Sequence, residues 1–449
     1  MNSQGFLIEA LNNFFAKLQN RFDSLGFVSD FIEKIIFILI GQVIFLSTFV
    51  QSEILGVIAL LVFFLTVFQL FIKKNEQLQM NVFEKFLFVW FLVVIVSLFG
   101  SSLFSLSLKG FFKTITYMGF YFSAVQFYRK NINLIMPTLC LIAFCAISQG
   151  IIGIIQNFRG IEEISTWQDT SNINPEDVLT RVYGSLKPLN PNLFGGYLIA
   201  SIPSIIGCAA YNFNKKKFKY AFVFSLFLIL TVISLFLSGC RGAYVAFAFM
   251  LACFVLYFGK IIYEKNNEKF KRLYFTLVSF FMALGTGAVL FVSSIRTRIL
   301  SIFVLRADSS TSFRFNVYKA AIEMIKDNWL FGIGVGNKNF REIYGLYMKT
   351  GFDALSTYNV FTELWVESGI FALLAFLLFL GFIVKGAFSY IIKNQQNRLI
   401  VVVGMISILS VMVHGLFDTV YFRPQIQFIF WLMTAFISSV LYTDNCKCS

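Results

Sequence analysis

Apolar residues come in long runs divided by short polar breaks, and about twelve of these runs are long enough to cross a bilayer. About 17–25 apolar residues in a helix match its hydrocarbon core. The runs lie at roughly 34–51, 54–72, 85–103, 110–128, 132–156, 192–211, 220–238, 242–261, 273–294, 365–385, 399–416 and 425–442. The pattern predicts an all-α polytopic membrane protein with about twelve transmembrane helices. Residues 1–33 read as a cytoplasmic amphipathic segment rather than a cleaved signal, with Phe6, Ala10, Phe14 and Leu18 at helical spacing. Spans one to nine then occupy 34–294, a long helical periplasmic loop 295–364, and spans ten to twelve with a cytoplasmic tail 365–449.

Charge fixes an orientation for this layout. The chain has 449 residues and a formal net charge of +14, yet it is 58% hydrophobic and only 13% charged. In a soluble chain such a surplus would point to nucleic acid. Here the positive-inside rule accounts for it, and no nucleic-acid partner is expected. With the N-terminus in the cytoplasm, Lys73, Lys74, Arg129, Lys130, Lys215–Lys217, Lys219, Lys265, Arg272, Lys393 and Arg398 all fall on the inner side. Both termini are then cytoplasmic, in a bacterial inner (plasma) membrane. The seven cysteines include no C-x-x-C pair, so neither a zinc site nor a disulfide framework is expected.

Two outer loops are long, 157–191 and 295–364. The second holds "LFGIGVGNKNF" at 330–340, with glycines at 332, 334 and 336. A dinucleotide fingerprint would need glycine where Asn337 stands, and would follow a strand. A helix precedes these glycines instead, so they read as a tight exit from it. Ser312 suits its N-cap, Phe313, Val317, Ala320, Ala321 and Met324 repeat with helical period, and Asp327–Asn328 ends it. Arg314, Tyr318, Ala321 and Ile325 share one face, setting a guanidinium and a phenol one turn apart.

No Asp, Glu, Lys or Arg lies near the middle of any predicted span, and Gln42 and Gln149 are the large polar residues there. Ion-coupled carriers place polar or ionisable groups at mid-depth, so this pattern weighs against transport. Cations gather at the outer surface instead: Lys109, Lys113, Arg181, Lys187, Arg241, Arg314 and Arg423. Asn190 and Pro191 read as N-cap and first residue of the sixth span. A cationic outer cleft above an apolar body suits a polyprenyl diphosphate, whose tail sits in lipid and whose diphosphate meets arginine. No D-x-D motif and no His/Glu cluster stands on the outer side, so neither a metal nor another cofactor is expected. Two carboxylate-bearing pairs at i, i+4 spacing lie near it: Glu363 with Glu367, and His414 with Asp418. Either could supply a base. The plainer roles are capping of a helix dipole for the glutamates and packing for His414.

The stretches "RVYGSLKPLNPNLFGGYL" at 181–198, "LSGCRGAYVAF" at 237–247, "SFRFNVYKAAIEMIKDNWLFGIGVGNKNF" at 312–340 and "YNVFTELWVESGI" at 358–370 resemble the O-antigen ligase and polymerase superfamily of membrane glycosyltransferases. Residues 336–363 and 413–432 resemble its branch labelled inorganic-carbon (bicarbonate) transporters. The resemblance implies transfer of a glycan from a polyprenyl diphosphate to a lipid or sugar acceptor in cell-envelope polysaccharide biosynthesis. The alternative is a bicarbonate or other inorganic anion transporter. Arg181, Arg241 and Arg314 match family arginines that would hold the diphosphate; Tyr318, Glu367 and Arg423 complete the expected substrate-binding set. Ligases carry a His-Asn pair where this chain has Tyr358-Asn359. A phenol with an ordinary pKa of about 10 is a poor base at neutral pH. Tyr358, Glu363 and His414 are therefore the candidates for handling the acceptor.

Overall fold

The computed structural model describes residues 13, 26–72, 80–160, 181–264, 267–291, 310–393 and 396–448. Within them the chain forms α1 (Gly26–Leu46), α2 (Ser52–Ile72), α3 (Val82–Phe99), α4 (Phe104–Lys130), α5 (Ile135–Arg159), α6 (Pro191–Asn214) and α7 (Phe218–Leu237). It continues as α8 (Arg241–Glu264), α9 (Glu268–Phe291), α10 (Ser310–Asn328), α11 (Asn337–Tyr344), α12 (Val360–Ile392), α13 (Arg398–His414) and α14 (Pro424–Cys448). Each of the twelve predicted runs is a helix over most of its length, namely α1–α9 and α12–α14. Eight described helices, α2, α3, α5–α8, α12 and α14, are long and apolar enough to cross a membrane. The remaining predicted spans, α1, α4, α9 and α13, are helices of 21, 27, 24 and 17 residues. Helix is the form such runs must take, since lipid offers backbone polar groups no partners. The amphipathic segment predicted at the N-terminus, with Phe6, Ala10, Phe14 and Leu18, lies outside the described residues.

The bundle is layered radially. α6 and α14 are its centre, with Tyr197, Phe194, Phe428, Phe430, Trp431 and Phe436 fully buried. α7 and α8 lie at the edge and present Phe222, Leu226, Ile229, Leu251 and Leu256 outward. In water such a surface would be a liability; in a bilayer it is the lipid face.

Polar contacts sort to the two ends of the helices. At one end Glu84 of α3 and Arg129 of α4 form a buried ion pair of 2.8 Å. Tyr121 and Ser438 donate to the same carboxylate at 2.9 and 2.6 Å. Arg129, counted in the sequence as an inner-loop charge, thus ties α3, α4 and α14 together. At the other end Gln149 and Gln156 of α5 clamp the segment 181–190. Gln149 Oε1 accepts from Ser185 N–H at 2.9 Å, and Gln156 Oε1 accepts from Gly184 N–H at 2.9 Å. Gln149, which by sequence alone resembles a mid-membrane polar group, is spent on this clamp, and Gln42 is exposed on α1.

The long loop folds on a small core of its own. Val317, Ala320, Ala321 and Met324 of α10 pack against Ile333, Phe340, Ile343, Tyr344, Ala354 and Val366. The spacing of these α10 residues is the predicted period. The helix already runs at Ser310, two residues before the expected cap at Ser312, and ends at Asn328 as expected. The glycine stretch does more than turn the chain. Ile333 N–H donates to Val366 O at 2.8 Å and Gly334 N–H to Glu367 O at 2.9 Å, while Ile370 N–H reaches back to Trp329 O at 2.9 Å. These bonds are strand-like, and they exist because α12 is broken at Gly369 (φ 77°, ψ 178°). A Cβ there would lie 2.0 Å from Leu330 O, so backbone passes directly against backbone.

Gly369→Ala is therefore expected to lower stability by about 2 kcal/mol or more, since strain and overlap act together. Gly381→Ala, in the same helix with open space at its Cα, is the control. Thermal melting of both purified variants in detergent checks this; equal melting temperatures would show that the break tolerates a side chain.

Candidate functional site

The site lies at the end of the bundle where α6, α8, α12 and α14 begin. Asn190 caps α6, its side chain accepting from Asn192 N–H at 2.7 Å and Leu193 N–H at 3.2 Å. That fixes Asn192 in the first turn. Its side chain then joins two charges: Arg181 donates to Asn192 Oδ1 at 2.6 Å, and Asn192 Nδ2 donates to Asp418 Oδ2 at 2.8 Å. Arg181 Nε also donates to Ser238 O at 2.9 Å, at the end of α7. A Cβ on Gly239 (φ 65°) would come within 2.9 Å of Arg181 Nε. Glycine in the "LSGCRG" stretch thus lets the Arg181 side chain lie along the turn.

Arg314, on α10, faces the same carboxylate. Its guanidinium is 3.9 Å from Asp418 Oδ2, with the arginine side chain 30% exposed and the aspartate 10%. It also lies over the Tyr358 ring, 5.5 Å from the centroid. Arg241, first residue of α8, is within electrostatic reach of both Arg314 and Arg181. Arg314 directly and Arg181 through Asn192 thus address one carboxylate, Asp418, and Arg241 lies within electrostatic reach of both arginines. Tyr318, one turn along α10 from Arg314, donates to Tyr358 O at 3.5 Å. Burial, with the nearby charge of Asp418, pushes the Tyr358 phenol up to about 12, and burial raises that of Tyr318 as well.

The Tyr358-Asn359 turn is held from below. Tyr358 adopts φ 56°, uncommon for a bulky residue. Asn359 Oδ1 accepts from Phe361 and Thr362 N–H at 2.9 and 3.1 Å, capping α12, and Val360 N–H donates to Gly415 O at 2.8 Å. Glu363 turns inward: its Oε2 accepts from Thr357 N–H at 2.6 Å, and its Oε1 is buried with no hydrogen-bond partner among the described residues. Glu367 accepts from Gly336 N–H at 2.9 Å and so supports the glycine stretch. His414, 2% exposed, points its Nε2 at Cys240 Sγ, 3.4 Å away.

Of the residues singled out from the sequence, the geometry gathers Arg181, Arg241, Arg314, Tyr318 and Tyr358, with His414 just beneath. Glu363 and Glu367 lie under the loop. Arg423 precedes α14, where Tyr117 feels its charge, and it makes no described contact with the arginine group. Asp418 and Asn192 are the residues that sequence reasoning undervalued. The i, i+4 spacing of Asp418 from His414 was the available signal.

Residues 226–377 match the model of the family described as O-antigen ligase. The matched segment carries Arg241, Arg314, Tyr318, Tyr358, Glu363 and Glu367, and ends in the second half of α12. It bears out the resemblance to the O-antigen ligase superfamily and lends no support to the inorganic-carbon branch. No curated protein matches the chain.

Asn192 joins two charged groups, so Asn192→Ala strands both. The expected cost is about 1–3 kcal/mol, read as a lower melting temperature in detergent. An unchanged melting temperature would mean that water replaces the amide at no cost.

Proposed function

We propose that this protein transfers a glycan from a polyprenyl diphosphate to a lipid or sugar hydroxyl at the outer face of the bacterial inner membrane, with both termini in the cytoplasm. The observation that carries the reading is the meeting of Arg181, Arg241 and Arg314 at one end of an apolar bundle. A leaving diphosphate develops negative charge as the glycosidic bond breaks. Guanidinium groups already fixed in place stabilise that charge without reorganising. Arg241 and Arg314 are the principal contacts, and Arg181, committed to Asn192 and Ser238, is the third. The apolar flanks of α7 and α8 suit a substrate whose tail stays in lipid. The match to the O-antigen ligase family supports a glycosyltransferase-like role in cell-envelope polysaccharide biosynthesis.

Tyr358 does not serve as the base in this reading. A phenol held up to about 12 stays protonated throughout the physiological range, and its ring, rather than its hydroxyl, meets Arg314.

Purified protein in lipid vesicles with a glycan-loaded polyprenyl diphosphate tests the reading. Arg314→Ala is expected to reduce transfer by about 100-fold or more, and in cells to accumulate lipid-linked glycan. Tyr358→Phe keeps the ring and is expected to retain transfer within about threefold. Unchanged transfer in Arg314→Ala would remove that residue from the site. Vesicles in which the pure protein moves bicarbonate, with surface glycans unchanged on gene deletion, would overturn the reading itself.

A further inference from the structure

Transfer to a hydroxyl requires a group that takes its proton, and the side chains near the arginines differ in their freedom to do so. Glu363 holds Thr357 N–H with one oxygen and has the other sealed inside the protein. Glu367 is fastened to Gly336 N–H, beneath the loop. His414 is buried against Cys240. Asp418 is placed differently. It stands beside the arginines, and among the described residues both of its polar contacts, Asn192 Nδ2 and Arg314, address the same oxygen, Oδ2.

The Arg314 contact is also loose. At 3.9 Å it exceeds the roughly 2.7–2.9 Å of a charge-assisted hydrogen bond. Arg314 is thus neutralised by Asp418 without being bound tightly to it. A diphosphate, offering two oxygens in bidentate geometry and more charge, would compete well for that guanidinium.

Building on the diphosphate reading above, we propose that Asp418 is the catalytic proton acceptor and that donor binding sets it free: the diphosphate takes over Arg314, and the carboxylate turns to the acceptor hydroxyl. The acceptor oxygen then attacks the anomeric carbon of the donor sugar. The bond from that carbon to the diphosphate oxygen breaks, and its electron pair leaves with the diphosphate into the arginine group. The hydroxyl proton passes to Asp418 and afterwards to water. Asn192 Nδ2 stays on Oδ2 throughout, which leaves Oδ1 for the proton. One residue is in this way a counter-ion before the donor arrives and a base after it.

The test uses the full chain in lipid nanodiscs, with a sugar-free polyprenyl diphosphate as binding probe and the glycan-loaded form for transfer. In Asp418→Asn the internal anion is gone. Probe binding is expected to be equal to wild type or up to about tenfold tighter, while transfer falls by at least about 100-fold. Asp418→Glu should recover part of the transfer. Loss of probe binding in proportion to transfer would overturn the proposal, since the carboxylate would then only hold the guanidinium. Retained transfer in Asp418→Asn would overturn it as well. If that variant does not fold, Asp418→Glu should bind the probe normally with transfer reduced at least tenfold, and wild-type transfer in it would be equally fatal. Failure of the wild-type protein to bind the probe would instead remove the diphosphate reading, and this proposal with it.

Discussion

Like charges in a weakly polar setting repel, and one end of this bundle concentrates them. Arg181, Arg241 and Arg314 approach one another around Asp418. The carboxylate and the Asn192 amide make the arrangement tolerable, one by opposite charge and the other by fixed hydrogen bonds to both sides. The local balance nevertheless stays positive: Arg314 faces the carboxylate, Arg181 is linked to it through Asn192, and Arg241 lies within electrostatic reach of both arginines. An assembly of this kind is completed by an anion from outside, and its remaining electrostatic energy is what an anionic ligand would relieve. The helix starts of α6, α8, α12 and α14 on the same side add their positive dipole ends.

Holding such a group in place requires rigid backbone at points far apart in the chain, and the fold supplies it by backbone contact. Residues 181–190 are clamped by Gln149 and Gln156. The loop that carries Arg314 is anchored where residues 333 and 334 bond to the open carbonyls of α12 around Gly369. The backbone bonds of residues 333 and 334 fix position more firmly than side-chain packing alone, because the groups that make them cannot rotate away. The glycines at 332, 334, 336 and 369 have no separate purpose: they are where two backbones meet.

The helices were legible because bilayer-length apolar runs leave few alternatives, and α10 was legible from its period. The arginines were legible as cations stranded on the side that the positive-inside rule leaves poor in charge. What was hidden is what long-range contact creates. Asn192 and Asp418 are separated by 226 residues, and no local pattern announces their bond. The break at Gly369 follows directly on Glu367 and Ser368, four residues into the predicted tenth span, where the sequence reads as the start of one straight helix. Gln149 was visible only as a large polar residue within a predicted span, and its partners in the segment 181–190 were not. The Arg129–Glu84 pair was hidden likewise, since the rule that placed Arg129 treats it as a surface charge.

Function follows the same division between middle and end. Gln149, one of the two large polar residues in the predicted spans, is consumed in a clamp, and the aromatic centre formed by α6 and α14 is filled with side chains. A carrier needs a path for its cargo through that centre. A transferase working on a lipid-borne donor needs none, because the substrate's own tail remains in the bilayer and only its head must meet the arginines. On the proposed reading, the apolar edge at α7 and α8 and the cationic end at Asp418 serve one substrate, each matched to the part that it would touch. The proton-accepting role proposed for Asp418 rests on the same economy of charge: the anion that steadies the arginines is the one that a stronger anion would displace.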